Sequence, residues 1–428
     1  MKKNIFVTAV LMALFGVSCE SNRGEILETA IIQEESVSSK DNNSLPVAQP
    51  TEHEDVALTR SDKDMISGNN GFSFDFFRES FLSIEDGNCF MSPLSVSAIL
   101  GLISNGATGE TRENITSTLG FSNNGIEEVN SFYTLSRTLG SWDPTTSWST
   151  ANSILIDKPF EVVDSFKKVA ASIYDAQCES LDFSDQEVCS THLNSWVAEK
   201  TEGLITSLPV TFSGNTAILT NAVYFKGAWS TRFDPNKTKE VTFKGKNMSK
   251  VLMMSRSGLY SHYSDELLQA VTMPFGYDAF RMTFILPGKD ESLTSLVSKM
   301  NSPEWDKLVT GGKTCLVDLG IPRFSTDFEC APKSALTKIG MEMAFGSKAN
   351  YSEMIKNNAT TLSDLLHKAR ITVDENGAEA AAVTSVMATS GKEEYESARF
   401  YADSPFMYII SEASSGLILF IDSYSGVI

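Results

Sequence analysis

Residues Asp374 to Ser385 read DENGAEAAAVTS, and the fold turns on what this stretch is for. Two acids, Asp374 and Glu375, stand before Gly377, and after it every residue except Glu379 is small or β-branched. No metal-ligand, nucleophile-and-base or phosphate-cradling pattern occurs in it. Alanine is the best helix former, so an Ala-rich helix is one reading. A flexible loop is the other, because no apolar stripe of helical period marks a core face. The flanking residues have to decide.

Just upstream, ARITVDENG (369–377) has the β-branched content of a strand, and downstream PFMYIISEASSGLILFIDS (405–423) is a hairpin of two apolar strands around Ser414-Ser415-Gly416. Further strand-like runs are TAILTNAVYFKGAW, QAVTMPFG, FRMTFILPG and TCLVDLGIPRF. Phe72, Phe76, Phe77 and Leu82 form a helical stripe, and SPLSVSAILGLIS opens a buried helix with Ser92 as its N-cap and Pro93 as its first residue. From Ser67 to Ile428 these patterns alternate without a linker, which predicts one large α+β domain.

The N-terminus is built differently. Met1-Lys2-Lys3-Asn4 precedes an apolar run from Ile5 to Val17 and then Ser18-Cys19, the layout of a signal peptide and too short to cross a bilayer as a helix. The Gly-Val-Ser-Cys ending resembles a bacterial lipoprotein processing site, which predicts a signal peptide over 1–18, a lipidated Cys19 and export to the cell envelope. Residues 19–66 are too poor in large apolar side chains to fold alone. As a tether, about 45 flexible residues reach roughly 40 Å. The formal charge of −19 argues against nucleic acid and against a basic heparin-like or phospholipid patch. Contact with a membrane is expected only through the lipid.

Catalytic signals are missing. The four histidines, His53, His192, His262 and His367, lie in no HExxH motif and beside no GxSxG elbow. GGKT at 311–314 lacks the glycine that a phosphate loop needs five residues before Gly312; Lys307 stands there. After Cys19, the scattered Cys89, Cys178, Cys189, Cys315 and Cys330 form neither a CxxC pair nor a disulfide framework. They read as buried thiols. No cofactor and no metal is expected.

In order, these segments resemble the serpin family of large single-domain protease inhibitors, over about Ser67 to Ile428. NCFMSPLSVSAILGLISNGATGET resembles the serpin segment entering its second helix, TNAVYFKGAWSTRF its third central strand, and HKARITVDENGAEAAA its fifth strand running into the hinge. MSKVLMMS, LPG at 286–288 and SPFMYII also correspond. The last strand departs from the pattern, with Asp422 and Ser423 where the family usually carries glycine and a basic residue. The resemblance implies an α+β fold with a large, mostly antiparallel central sheet, further sheets, about eight to nine helices and an exposed reactive loop over about 375–399. It also implies a monomer that traps serine and cysteine endopeptidases as acyl-enzymes. A non-inhibitory member, acting as carrier or chaperone, is the alternative.

Under that resemblance the opening stretch is a hinge that enters the central sheet as a new strand. Successive strand residues face opposite ways, so Ala378, Ala380, Ala382, Thr384, Val386 and Ala388 would all point inward, with Ala381 and Glu379 outward and Gly377 as the pivot. From Ala378 to Thr389 the strand would measure roughly 40 Å. Its ladder bonds, at about 1 kcal/mol net each, would stabilise the inserted form by on the order of 10 kcal/mol. Asn88, Ser92, Ser95, Asn221 and His367 match the family's polar shutter beneath the sheet; taken alone, Ser92 is a helix cap and His367 a satisfied core histidine. Trp229 and Arg323 match the breach at the top, with Arg323 expected to pair with Glu375 in an exposed, weak ion pair. Family spacing puts the scissile bond at Gly391-Lys392, which suits elastase-like or broadly specific proteases.

Overall fold

The computed structural model describes residues 56–84, 88–121, 125–140, 143, 145–358, 362, 365–378 and 394–426. Nine α-helices lie among them. The first, α1 (Arg60–Leu82), starts at Thr59, whose hydroxyl accepts from the Asp62 N–H while the Asp62 carboxylate accepts from the Thr59 N–H, a reciprocal cap. Phe72, Phe76 and Phe77 are buried as expected, but Leu82 is 49 % exposed in the last turn, beyond the core contact. Ser92 caps α2 (Pro93–Gly106) by accepting from the Ser95 N–H at 3.2 Å, and Pro93 is its first residue. No charged residue interrupts α2, and it is buried nearly all round, as a helix without a polar face must be.

Fifteen strands lie among the described residues: β1 (Cys89–Met91), β2 (Thr146–Asp157), β3 (Ala176–Leu181), β4 (Ala217–Ala228), β5 (Lys239–Lys244), β6 (Met248–Ser264), β7 (Leu268–Phe275), β8 (Phe280–Pro287), β9 (Lys313–Pro322), β10 (Phe324–Cys330), β11 (Leu365–Val373), β12 (Gly377–Ala378), β13 (Ser397–Tyr401), β14 (Phe406–Glu412) and β15 (Ile418–Tyr424). A six-stranded sheet has the order β10-β11-β12-β4-β2-β3, with β11 also paired directly to β4. Its pairs are antiparallel except β11–β4 and β2–β3. The remaining strands form a nine-stranded sheet along β1-β15-β14-β8-β7-β6-β9-β13, with β5 on β6. The expected C-terminal hairpin is β14 against β15, buried along its whole length. One main core joins α1, α2 and both sheets. This is the α+β architecture with a mostly antiparallel central sheet that the sequence implied.

Candidate functional site: the entrance and floor of the central sheet

The chain leaves β11 at Val373 and turns back at once. Asp374 makes the turn: its carboxylate accepts from the N–H groups of Asn376 (2.7 Å) and Gly377 (3.2 Å), and its own N–H donates to the Gly377 carbonyl at 3.0 Å. The next two residues form β12, wedged between neighbours, with Gly377 opposite Ala228, and Ala378 opposite both Gly227 and Val373. Only glycine fits the first of these positions. Its φ is +155°, and a Cβ there would lie 2.1 Å from the Gly227 carbonyl oxygen. Ala378 is fully buried, so its side chain has already left water, whereas the sequence reading placed that step at insertion.

Trp229, at the end of β4, holds the turn. Its indole N–H donates to the Asp374 carbonyl at 2.9 Å, its backbone N–H donates to Asn376 at 2.9 Å, and its ring stacks on Phe275 at 4.5 Å. Glu375 accepts from Thr238 Oγ1 at 2.6 Å and from Arg323 Nη2 at 2.5 Å. The expected pair therefore exists, with a correction: Glu375 is only 4 % exposed in its side chain while Arg323 is 44 % exposed. Burial pushes the Glu375 carboxyl up, but the hydrogen bonds from Thr238 and Arg323 outweigh it and hold the group below the usual glutamate range. Buried and doubly bonded, the carboxylate is worth more than an exposed pair.

Lower down, the same two strands touch with nothing between them. Leu365–Ala369 of β11 pair in parallel with Leu219–Val223 of β4, bringing His367 level with Asn221. The sheet is therefore split at its top and closed at its floor. Beneath the closed part, the Ser92 N–H donates to His367 Nε2 at 3.1 Å, so this nitrogen is the unprotonated one, and the Nδ1 proton faces Asn221 Oδ1 at 3.3 Å. Asn221 Oδ1 also accepts from Ser95 Oγ at 2.8 Å, and Ser92 Oγ donates to the Leu419 carbonyl of β15 at 2.7 Å, tying the sheets together through α2. Burial alone pushes His367 down to about 4. The neutral form is the one the network needs, since a second ring proton would confront the Ser92 N–H.

Four of the five expected shutter residues thus meet. Asn88 does not join them: its side-chain oxygen accepts from the Ser425 N–H at 2.8 Å beside Gly426. The three residues of β1 separate it from Ser92, four steps of extended chain or roughly 13 Å. Asn152 of β2 takes the place in the network, accepting from Asn221 Nδ2 at 2.8 Å from the position directly opposite. The available signal was an asparagine amid the apolar residues of STANSILI, in a strand that the sequence reading did not pick out. Thr238 was missed too, because nothing local marks it. Cys19, Glu379, Ala380, Ala381, Ala382, Gly391 and Lys392 lie outside the described residues. Among the described residues Cys89, Cys178, Cys189 and Cys315 are free thiols, and no cluster there could hold a metal.

A family model described as Serpin (serine protease inhibitor) matches residues 67–425. Serpin B8 of Homo sapiens is 31 % identical over 379 residues, 85 % of this chain and 99 % of that protein. Intracellular coagulation inhibitor 2 of Tachypleus tridentatus is 31 % identical over 378 residues, covering 85 % and 91 %. Among solved structures, the native state of tengpin, a thermophilic serpin, superposes with a TM-score of 0.78 at 27 % identity, covering 88 % of this chain and 97 % of that one. Human thyroxine-binding globulin, in complex with its hormone, superposes at 0.77 with 28 % identity, covering 85 % and 98 %.

Proposed function

The chain belongs to the serpin family, and we propose that it is an inhibitory member, which traps endopeptidases by drawing its cleaved loop into the central sheet. Since the same fold also serves a thyroxine-binding globulin, the fold alone does not separate inhibitor from carrier. The observation that carries the proposal is β12, a seated first step of insertion in a sheet still closed below it.

Continued at the same register, the loop would bring Ala380, Ala382, Thr384, Val386 and Ala388 opposite Phe225, Val223, Asn221, Leu219 and Ala217. On its other side it would bring Ala380 to Val386 opposite Ile371, Ala369, His367 and Leu365. Each inward position then receives a small or β-branched, uncharged side chain. Thr384 would arrive between Asn221 and His367, where its hydroxyl can bond with both as their direct contact breaks. β4 has 12 residues, and Gly377 to Ala388 matches it end to end. One parallel ladder is exchanged for two antiparallel ones, a net gain on the order of 10 kcal/mol.

For the protease, the chemistry runs as follows. Its nucleophile attacks the loop carbonyl and the peptide bond breaks, the new amine taking a proton from the protease, so the inhibitor stays attached as an acyl ester or thioester while the C-terminal piece remains folded in through β13, β14 and β15. Insertion then carries the attached enzyme along the sheet before water can release it. The scissile bond is proposed at Gly391-Lys392, and lipid on Cys19 would hold a monomeric inhibitor at the cell envelope. The test is incubation of the full chain with a panel of serine and cysteine endopeptidases. A complex stable to SDS with little turnover is expected; quantitative cleavage without complex overturns the proposal.

A further inference from the structure

Asp422 and Ser423, the departures in the last strand, have a consequence outside loop insertion. Asp422 is fully buried in the middle of β15, opposite Phe90 of β1 on one side and Tyr408 of β14 on the other. The Tyr408 hydroxyl bonds one carboxyl oxygen, while the other oxygen and the neighbouring Ser423 hydroxyl have no hydrogen-bond partner. Phe324 of β10 packs on Tyr408 at 5.2 Å and on Tyr424 at 4.8 Å, so this spot lies where the central sheet rests on the second sheet.

We propose that the Asp422 carboxyl is a proton-operated latch between the two sheets: neutral, it lets β10 lie packed on β14 and β15, and its ionisation weakens that packing. An isolated buried carboxylate is strongly disfavoured and takes up a proton instead. The ionisable groups that face it offer no relief. They are Tyr408 from β14, Tyr424 from β15 and Cys89 from β1, each neutral or negative; Cys330 of β10 lies near Cys89 and offers no cation either. On β11 the inward group is His367, already engaged by Ser92 and Asn221; α2 carries no ionisable side chain. The charges of β10 and β11 lie outward, Lys368 on Glu329, and Arg323 is taken by Glu375.

The electrostatics agree with the geometry. Burial pushes Asp422 up to about 8, against the hydrogen bond from Tyr408, which pulls it down. Burial and the nearby Asp422 likewise raise Cys89 and Tyr408.

The experiment compares thermal unfolding of the full chain and of Asp422→Asn from pH 5 to 9.5, with infrared spectra of both. Asparagine keeps the shape and an acceptor for Tyr408 but does not titrate. The folded-to-unfolded ratio of wild type relative to the variant should fall by up to about tenfold per pH unit until about pH 8 and then level off. A protonated-carboxyl band should appear in wild type at pH 6, vanish by pH 9.5, and be missing from the variant. Parallel pH profiles, or no such band in wild type at pH 6, overturn the proposal. Should Asp422→Asn fail to fold, Tyr408→Phe replaces it: without the donated bond that favours the ionised form, the transition should move to higher pH, and an unmoved transition counts against the latch. Any effect on loop insertion rests on the inhibitory reading, whereas these readouts hold whether or not the protein inhibits a protease.

Discussion

Placing an arginine at Ala378 and, separately, at Thr384 separates two events that the sequence alone merges. Ala378 is already enclosed between Gly227 and Val373, so Ala378→Arg must either bury an unpaired guanidinium, at about 3–5 kcal/mol, or eject β12. Ejection gives up three strand contacts and the Asp374–Gly377 bond, about 3–4 kcal/mol at roughly 1 kcal/mol each. The cheaper route sets the outcome, so the resting protein should lose about 3 kcal/mol and the first unfolding transition should fall by about 5 °C for a chain of this size. Thr384→Arg should leave that transition unmoved, because its cost arises only when the residue arrives between Asn221 and His367. Both variants should be cleaved by a protease that wild type traps, with stoichiometries of inhibition well above one. The assay is titration of active protease with each variant, gels for SDS-stable complex, and melting curves. An unchanged stoichiometry for Thr384→Arg would show that the register is wrong, and an unchanged melting curve for Ala378→Arg would show that β12 is not seated in the resting protein.

Glu375→Lys removes the acceptor of both Thr238 and Arg323 and sets a cation against Arg323, so native gels after mild heating should show faster loss of monomer to polymers; equal loss counts against the pair as a control on sheet opening. His367, pushed down to about 4 from an unfolded value of about 6.5, contributes stability that is complete above pH 6.5 and falls by about 3 kcal/mol towards pH 4. Relative to wild type, His367→Gln should gain about that much stability as the pH falls from 6.5 to 4, in a comparison of melting against pH. Cys19→Ala should move the protein expressed in a bacterial host from the detergent phase to the aqueous phase, and unchanged partitioning would reject lipidation. Mass spectrometry of the C-terminal fragment from a denatured protease complex should find a first residue of Lys392; Glu393 would instead indicate a trypsin-like target.

Much of the proposed hinge is legible in the sequence because it depends on local constraints. A loop that must enter a packed sheet can carry nothing large or charged on one face, and Gly377 is required where the chain meets the Gly227 carbonyl. Ser92 is recognisable as the residue that starts α2, and its second bond, to Leu419, came with the fold. What stayed hidden depends on strands far apart in sequence. Asn152 joins the hydrogen-bond network of Asn221 and His367 only because β2 pairs with β4 in one register, and Asn88 drops out only because β1 runs away from the network. Likewise the burial of Glu375 depends on Thr238, which comes from the chain beyond β4. Residues 374–378 alone describe an exposed acid beside a hinge.

Two deeply buried groups displaced in opposite directions, His367 and Asp422, act together on the dependence of stability on pH. Between about pH 4 and 6.5 the unfolded chain carries the proton on His367 and the folded chain carries one on Asp422, so each state holds one proton from this pair and their combined slope is zero. Between 6.5 and 8 the unfolded chain holds none of the two while the folded chain keeps that of Asp422, so stability declines with rising pH by about 2 kcal/mol. Removing either group should therefore uncover the other. His367→Gln should become more stable as the pH falls from 6.5 to 4, and Asp422→Asn should become less stable over the same range. Neither slope is visible in wild type from these two groups, so a flat acid limb there is a balance between the floor of the insertion gap and the contact between the sheets, and does not show that the core is free of titrating groups.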